Sequence, residues 1–404
     1  MRVREILKKL YCSKCNAVKE VNHLRGLFLE VKIENENFIK KCEEQAKKIF
    51  HETITAVPHS FLDRSVPSLY HIEINSQCNL KCKLCGAGNI SALQVQNGIM
   101  NLDYFRIIIE KIKNENSDAI ILPFGNSEPF LNKNIYDYIK IIKNSGLRCT
   151  LSSNVNIFSN IERTLMLEPD TFIISISGFT QDIYSVAHRG GDINIVKKNM
   201  KMISDIKYKN NLKTNVIVNY HLYNYNWKED FDAAKKWVEE LGFVFAPNCA
   251  RSISMEMTLQ YVRQLEKKRG ASSSELPFSI ELPQSFYDGL ESLIVRPDDI
   301  FDMYEHVPSA IICPFANFET YIRSDGSVQL CGCCSDKRLV LAPKYLHVSH
   351  EDIQRRRRWH PFCEVCLRTK TYLYFNMVDF QKWDSMVKMR LQGVPSDRLL
   401  CGGA

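Results

Sequence analysis

A regular alternation of strand-like and helix-like segments between residues 70 and 250 constrains the fold more than any other feature of this chain. Each strand-like segment is a short apolar, β-branched run, and amphipathic stretches at helical spacing lie between these runs. Six β/α units of this length predict an α/β fold, a parallel sheet curled into a partial (β/α)6 TIM-like barrel. Active sites in such barrels lie in the loops at the carboxyl ends of the strands. The predicted strands are Tyr70–Asn75, Ala119–Phe124, Arg148–Ser152, Thr171–Ser177, Thr214–Tyr220 and Phe243–Pro247. The predicted helices are Leu102–Lys113, Ile135–Ser145, Asn160–Leu167, Ile193–Ile206 and Lys228–Leu241.

Three cysteines follow the first predicted strand. Cys78, Cys82 and Cys85 have the spacing C-x-x-x-C-x-x-C, which allows three thiolates to converge on one small inorganic body. Thiolates suit zinc or an iron–sulfur cluster, and a closed structural zinc site needs four ligands. A cubane with three protein thiolates leaves one iron free for a small molecule. We therefore predict an iron–sulfur cluster here, with unliganded thiols or part of a zinc site as the alternatives.

This cysteine spacing, followed in order by later motifs, resembles the radical S-adenosylmethionine (SAM) superfamily. The resemblance covers about residues 70–250. It implies a [4Fe–4S] cluster that binds SAM, cleaves it reductively and yields a 5′-deoxyadenosyl radical, which takes a hydrogen atom from a substrate. It also implies an electron donor of the flavodoxin or ferredoxin type.

The loops after the second and third strands resemble the SAM-binding motifs of this family. The stretch with Gly125, Asn126 and Glu128 is similar to the Gly-Gly-Glu-Pro motif, with a serine in place of the second glycine. The resemblance implies that Glu128 faces the SAM ammonium group, which needs a negatively charged acceptor. It also implies that Ser153 and Asn154 contact SAM, although a turn-forming pair is the plain alternative.

Further candidates follow the fourth and fifth strands. Ser175 and Ser177 alternate with isoleucines and so share one face of the predicted strand. The resemblance implies that Arg189 holds the SAM carboxylate, a bidentate task suited to a guanidinium group. Tyr220 or His221, after the fifth strand, is predicted to reach the substrate as a catalytic residue.

A second cysteine-rich segment begins at Cys313. With Cys331, Cys363 and Cys366 it would bring a hairpin and a later loop around one metal centre. This arrangement resembles the SPASM module in its shortened form, the twitch domain, and implies one auxiliary [4Fe–4S] cluster. A four-cysteine zinc site is the alternative.

Cys333 and Cys334 are the spare thiols of this segment. Either is a candidate to replace Cys331 as a ligand or to donate a hydrogen atom to a substrate radical. Otherwise they are buried apolar residues, as free cysteines commonly are.

The chain therefore divides into five predicted parts. Residues 1–65 form an N-terminal α/β extension with a Cys12–Cys15 knuckle, and residues 66–250 form the partial barrel. Residues 251–310 form a helical linker that covers the barrel mouth. Residues 311–375 form a small cysteine-rich α+β domain, and residues 376–404 form a C-terminal helix and tail.

Composition limits the setting in which the protein works. No apolar stretch is long enough to span a membrane, and the N-terminus lacks an apolar signal core. The 15 cysteines therefore indicate metal binding in a reducing cytoplasm and not a disulfide framework. A net charge of +7 permits an anionic substrate and makes nucleic acid an unlikely partner. The sequence gives no indication of the oligomeric state.

The predicted function is a radical SAM enzyme acting on a small carbohydrate-like substrate, such as a sugar, aminocyclitol or sugar nucleotide, with oxidation, epimerisation or dehydration as the result. Two alternatives are a maturase of ribosomally made peptides and a non-catalytic iron–sulfur or zinc interaction protein. The run Arg355–Arg358 raises the further alternative of a phosphorylated substrate, because guanidinium groups suit phosphates.

Overall fold

The computed structural model describes residues 67–391, apart from 90–92, 95–97, 158, 271–274, 306, 308–312, 314–315, 317 and 377–379. The predicted features of the N-terminal extension, including Cys12 and Cys15, lie outside the described residues, as does the tail beyond residue 391. None of the helices in the described part is long and apolar enough to cross a membrane.

Six parallel strands form the first part of one open sheet. Their order is β6-β5-β4-β3-β2-β1, and each pairs in parallel with its neighbour. The strands are β1 (Leu69–Ile72), β2 (Ile120–Leu122), β3 (Arg148–Ser153), β4 (Thr171–Ile176), β5 (Asn215–Leu222) and β6 (Val244–Cys249). The predicted α/β class and the six-strand parallel sheet of a partial barrel are confirmed, with the sheet left open at β6.

Helices connect the strands, as the apolar spacing predicts. The barrel helices are α1 (Leu102–Glu115), α2 (Ile135–Ser145), α3 (Ile161–Leu165), α4 (Gln181–Ala187), α5 (Ile193–Lys209) and α6 (Glu229–Glu240). Local sequence sets their ends: the Asn101 side chain caps α1 by accepting from the Tyr104 N–H at 3.0 Å. Gly146, at φ +81°, ends α2 in the left-handed region. Helix α4 was not predicted, because seven residues are too few for a periodic signal.

The chain after β6 adds helices and a small antiparallel extension of the sheet. The helices are α7 (Met255–Lys268), α8 (Gln284–Glu291), α9 (Ile300–Met303), α10 (His350–Arg358), α11 (Pro361–Arg368), α12 (Thr371–Phe375) and α13 (Phe380–Arg390). The strands are β7 (Glu319–Ile322), β8 (Val328–Gln329) and β9 (Val340–Ala342). The predicted hairpin between β7 and β8 is present, with Gly326 at φ +82° in its turn.

Strand β7 pairs in parallel with β1, from Leu69 opposite Glu319 to Ile72 opposite Ile322. The nine strands therefore form one sheet, in which β1 lies between β2 and β7. The sequence predicted a hairpin here but not its attachment to the barrel. The cysteine-rich segment is thus continuous with the barrel through backbone hydrogen bonds.

A second apolar cluster lies apart from the main core. Leu84, from the first cysteine loop, packs in it with Phe286 and Leu290 of α8. A Cβ atom added at Gly289 would lie 2.7 Å from Leu84 Cδ2, so α8 approaches the loop closely. The segment predicted to cover the barrel mouth therefore packs directly on the cysteine loop.

Candidate functional site

The three cysteines after β1 line one cavity of about 360 Å³ at the carboxyl ends of the strands. Cys78, Cys82 and Cys85 are all half-buried. The loop folds back tightly, since the Cys85 N–H donates to the Cys82 carbonyl at 3.3 Å. A Cβ atom at Gly88 would lie 2.0 Å from the same carbonyl oxygen, so only glycine fits there.

Burial disfavours the ionised forms of these thiols. Desolvation raises the pKa of Cys78 to about 12 and also raises the pKa values of Cys82 and Cys85. Thiolates at this position therefore need a cationic partner such as iron, because metal binding deprotonates its ligands. The soft donor set and the shared cavity fit a cluster held by these three residues.

Glu128 lies on the same cavity in the loop after β2, and its side chain is 2% exposed. Its Oε1 atom accepts from the Phe130 N–H at 3.1 Å and from the Ser153 hydroxyl at 2.9 Å. Its Oε2 atom accepts from the Asn154 N–H at 2.9 Å. Desolvation raises the pKa of Glu128 to about 7 in spite of these hydrogen bonds. The carboxyl group is thus fixed in position, and burial brings its pKa into the neutral range.

The other residues predicted from the loops after β2 and β3 also line this cavity. They are Gly125, Asn126, Ser153 and Asn154. The Asn126 amide donates to the Ser335 hydroxyl at 2.6 Å, and the Asn154 amide donates to Asn79 Oδ1 at 3.0 Å. The loops after β1, β2 and β3 are therefore held to one another and to the C-terminal segment.

Ser175 lines the cavity, but Ser177 does not. Strand β4 ends at Ile176, so the alternation that pairs the two serines stops before Ser177. Ser177 is fully buried, and its hydroxyl lies 2.5 Å from His188 Nδ1. The Ser177 side chain therefore positions His188 beside the cavity.

Arg189 lies against the cysteine loop and is not among the residues that line the cavity. Its Nε atom donates to the Lys81 carbonyl at 2.6 Å, and its own carbonyl accepts from the Lys81 N–H at 3.0 Å. The positive charge of Arg189 also lowers the pKa of Cys82, against the larger effect of burial. The structure thus gives Arg189 a role in holding the cysteine loop, and its contact with the SAM carboxylate stays a prediction.

Of the two candidates on β5, only His221 lines the cavity. Tyr220 is fully buried, and its hydroxyl oxygen lies 2.8 Å from the Asn226 carbonyl oxygen and 3.0 Å from Asp230 Oδ2, so its one O–H donates to either acceptor. Successive residues of a strand face opposite sides, so Tyr220 points into the packing against the helices. The structure therefore does not bring Tyr220 to the cavity.

The two histidines of the cavity are uncharged at neutral pH. His188 and His221 stack with ring centroids 5.9 Å apart. Desolvation and the neighbouring His221 lower the pKa of His188 to about 3. Desolvation and the charge of Arg251 lower the pKa of His221 to about 4.

The polar cavity residues that the sequence predictions missed include Asn219, Asn248 and Arg251. Asn219 shares the inner face of β5 with His221, two residues away, and its side chain accepts from the Asn248 amide. The alternation of β5 could have identified Asn219. Asn248 was missed because β6 continues to Cys249, beyond its predicted end at Pro247.

A second, smaller cavity of about 110 Å³ is lined by five cysteines: Cys313, Cys331, Cys333, Cys363 and Cys366. Hydrogen bonds from Cys333 and Cys334 lower the pKa of Cys331 well below its usual range. Burial raises the pKa values of Cys363 and Cys366. The donor set again fits an iron–sulfur cluster. Among the described residues, no group of three or more His, Cys, Asp or Glu side chains is arranged to hold a single metal ion.

Neither spare thiol of the second segment lines the first cavity. Cys333 lines the second cavity beside the four predicted ligands, whereas Cys334 is fully buried next to Ser335 and Arg323. A direct hydrogen-atom transfer from either thiol to a substrate in the first cavity is not supported by this geometry. Cys333 lies where an alternative ligand would lie.

The arginine run lies on α10, and two of its members bind backbone. Arg357 is buried and donates to the carbonyl oxygens of Leu330, Ala316 and Glu319 at 2.6–3.0 Å. Arg356 donates to the Leu341 carbonyl at 2.7 Å. These contacts hold α10 against the β7–β9 region, so the run does not form one continuous phosphate-binding surface.

A family model described as the radical SAM superfamily matches residues 72–237. The search of curated proteins finds no match.

Solved structures similar to this chain include SuiB from Streptococcus suis bound to precursor peptide SuiA, at 15% identity and a TM-score of 0.43, with 68% of this chain and 61% of that chain covered. The chain thus spans less than two thirds of the length of SuiB. Others are native anSMEcpe with bound AdoMet (14% identity, TM-score 0.44, 80% and 98% covered) and BtrN in complex with AdoMet and 2-DOIA (15% identity, TM-score 0.36, 75% and 88% covered).

The matched region begins on β1 and ends in α6, so it contains the first cysteine loop and Glu128. The cofactors of this family are a [4Fe–4S] cluster and SAM. Residues 72–237 of the chain therefore form a radical SAM domain.

Proposed function

We propose that this radical SAM enzyme removes a hydrogen atom from a small, hydroxyl-rich, carbohydrate-like substrate. The proposal rests most on one observation: the cysteine loop, Glu128 and a wall of uncharged hydrogen-bonding side chains surround a single cavity. When bound, the cluster and SAM supply the electron and the hydrogen-abstracting group. Cys78, Cys82 and Cys85 would hold the cluster, and Glu128 would bind the SAM ammonium group.

The size and lining of the cavity favour a small substrate. A volume of about 360 Å³ is near the lower end of small-molecule sites, which span roughly 300–1,000 Å³, and it must also accommodate SAM. Ser175, Asn219 and Asn248 offer neutral donors and acceptors, which suit hydroxyl groups.

We further propose that Cys313, Cys331, Cys363 and Cys366 hold one auxiliary [4Fe–4S] cluster. The five-cysteine lining of the second cavity supports this assignment. Such a cluster can take up an electron from the substrate, so oxidation is the favoured net reaction over epimerisation or dehydration. A flavodoxin or ferredoxin in the cytoplasm would supply the electron that starts each turnover.

The test is an anaerobic assay of the full chain after cluster reconstitution. SAM and a strong reductant are added, and 5′-deoxyadenosine is measured with the small-molecule and peptide fractions of a host lysate added separately. We expect stimulation by the small-molecule fraction. Stimulation by the peptide fraction alone would favour a peptide maturase. No 5′-deoxyadenosine from protein with intact clusters would contradict the proposed SAM cleavage itself.

A further inference from the structure

Arg251 lies in the loop between β6 and α7, and this loop forms backbone hydrogen bonds with both cysteine segments. Two residues later, the Ile253 N–H donates to the Leu84 carbonyl at 3.0 Å, within the first cysteine loop. The Met255 N–H donates to the Cys333 carbonyl at 2.9 Å, within the second cysteine segment. The loop therefore bridges the two cysteine sites, and Arg251 lines the first cavity at this junction.

Arg251 carries the only positive charge among the described residues that line this cavity. His188 and His221 also line it, but their low pKa values leave them neutral at physiological pH. Glu128 is already engaged by Ser153 and Asn154 at the end of β3. Among its described lining residues, the cavity thus has one carboxyl group, that of Glu128, and one guanidinium group, that of Arg251.

The guanidinium group of Arg251 has no hydrogen bond or ion pair within the described part of the chain, whereas Arg189, Arg357 and Arg390 all donate to protein oxygens. A half-buried guanidinium without a counter-ion is a ready partner for a planar or tetrahedral oxyanion. Its charge acts on His221 in the first cavity and also on Cys333 and Tyr374, so the guanidinium group lies between the two cysteine sites.

We propose that Arg251 binds an anionic oxygen group of the substrate, a carboxylate or a phosphate, and so anchors the substrate between the two cysteine sites. This inference rests on the proposed function, because it assigns the substrate to the first cavity. The competing source of the same chemistry is the carboxylate of SAM.

The first experiment measures accessibility of Arg251 in the wild-type full chain, reconstituted and loaded with SAM. Phenylglyoxal labels arginine side chains, and peptide mass spectrometry reports the rate at each site, with inorganic phosphate or acetate compared with chloride at equal ionic strength. We expect phosphate or acetate to slow labelling of Arg251 about threefold or more once the anion concentration exceeds about twice its Kd. Arg106, exposed on α1 and paired with Asp103, is the internal control and should be unaffected. Equal labelling of Arg251 in all three salts would overturn the proposal.

The second experiment separates the two sources of the anion by equilibrium dialysis of SAM. We expect Arg251→Gln to bind SAM within about twofold of wild type, and Glu128→Gln to bind it about tenfold more weakly or worse. A loss of SAM affinity in Arg251→Gln as large as in Glu128→Gln would assign Arg251 to the SAM carboxylate and overturn the proposal. The proposed function would then still stand.

If reconstituted wild-type protein bound no SAM, the proposed function would fail. Labelling of the SAM-free protein would still decide whether Arg251 binds anions. Iron content and the urea midpoint of each variant verify that it has folded.

Discussion

Glu128 illustrates how a single side chain can be positioned for a cation. Three donors hold its two oxygen atoms, yet burial keeps the pKa of the carboxyl group near 7. A bound ammonium group would favour the ionised form, because opposite charges at short distance stabilise each other. The residue is therefore poised to change its charge in the physiological pH range.

We predict that SAM affinity depends on pH through Glu128. Because the pKa of Glu128 is raised to about 7, the side chain is neutral below that pH and attracts an ammonium group only above it. SAM binding should strengthen as pH rises from about 6 to about 7.5, where the SAM amino group is still largely protonated. Equilibrium dialysis across this range measures the effect. The Glu128→Gln variant should show weak binding with a flat profile, and an equally steep profile in that variant would exclude Glu128 as the titrating group.

Individual cysteines allow the two proposed cluster sites to be counted separately. We expect Cys82→Ala and Cys363→Ala each to lose about half of the bound iron after reconstitution, because each would disable one of two four-iron clusters. Cys149→Ala is the matched control, since Cys149 is fully buried on β3 and lines neither cavity. Iron and sulfide analysis gives the result. Full iron content in Cys363→Ala would argue against an auxiliary cluster.

At the scale of elements, the junction of β6 with α7 holds the two cysteine segments together. Ser254 caps α7 and its hydroxyl donates to Glu256 at 3.0 Å. Glu256 is fully buried and accepts from the Ser335 N–H at 2.5 Å and the Asp336 N–H at 2.8 Å, directly after the Cys331–Cys334 run. One carboxyl group thus satisfies backbone donors that no water can reach.

Loss of this carboxyl group should destabilise the protein. Glu256→Ala leaves two buried N–H groups unsatisfied, at about 1–3 kcal/mol each, so we expect the free energy of unfolding to fall by about 2–6 kcal/mol. Urea denaturation of the reconstituted protein measures this change. Glu110→Ala, exposed on α1, is the control and should lie within about 0.5 kcal/mol of wild type. Similar midpoints for the two variants would show that Glu256 is not needed for stability.

The nine-stranded sheet makes the described part of the molecule one structural unit. Strand β1 carries the first cysteine loop at its end and is flanked by β2 and β7. Removal of β7–β9 would therefore expose the backbone edge of a buried strand in the middle of the sheet, where unpaired edges promote aggregation.

We expect a chain of residues 66–310 to be insoluble or to unfold without a cooperative transition, whereas the full chain should unfold with a single transition through the sheet. Solubility after expression and far-UV circular dichroism during denaturation test this expectation. A soluble fragment with a cooperative transition would show instead that the barrel folds independently of the C-terminal strands.

Much of this arrangement could be predicted from local patterns. Alternating apolar runs gave strands close to β1–β6, and the first cysteine loop and Glu128 follow strands whose carboxyl ends meet at one cavity. The pairing of β1 with β7 could not be predicted, because about 250 residues separate the partners and no local pattern encodes their register. Tyr220 was chosen by residue type, whereas strand alternation decides that Asn219 and His221 face the cavity. Arg251 was missed because its importance lies in having no hydrogen-bonding partner among the described residues, which only the folded arrangement reveals.

The contact between Gly125 and Tyr321 limits how the two halves of the protein can be recombined. A Cβ atom at Gly125 would lie 1.8 Å from the Tyr321 hydroxyl oxygen, so the loop after β2 and strand β7 fit only as a matched pair. A chimera that took its C-terminal strands from another superfamily member would bring a different side chain to this contact. The loop after β2 and its neighbour on β7 would therefore have to be transplanted together, as a single cassette.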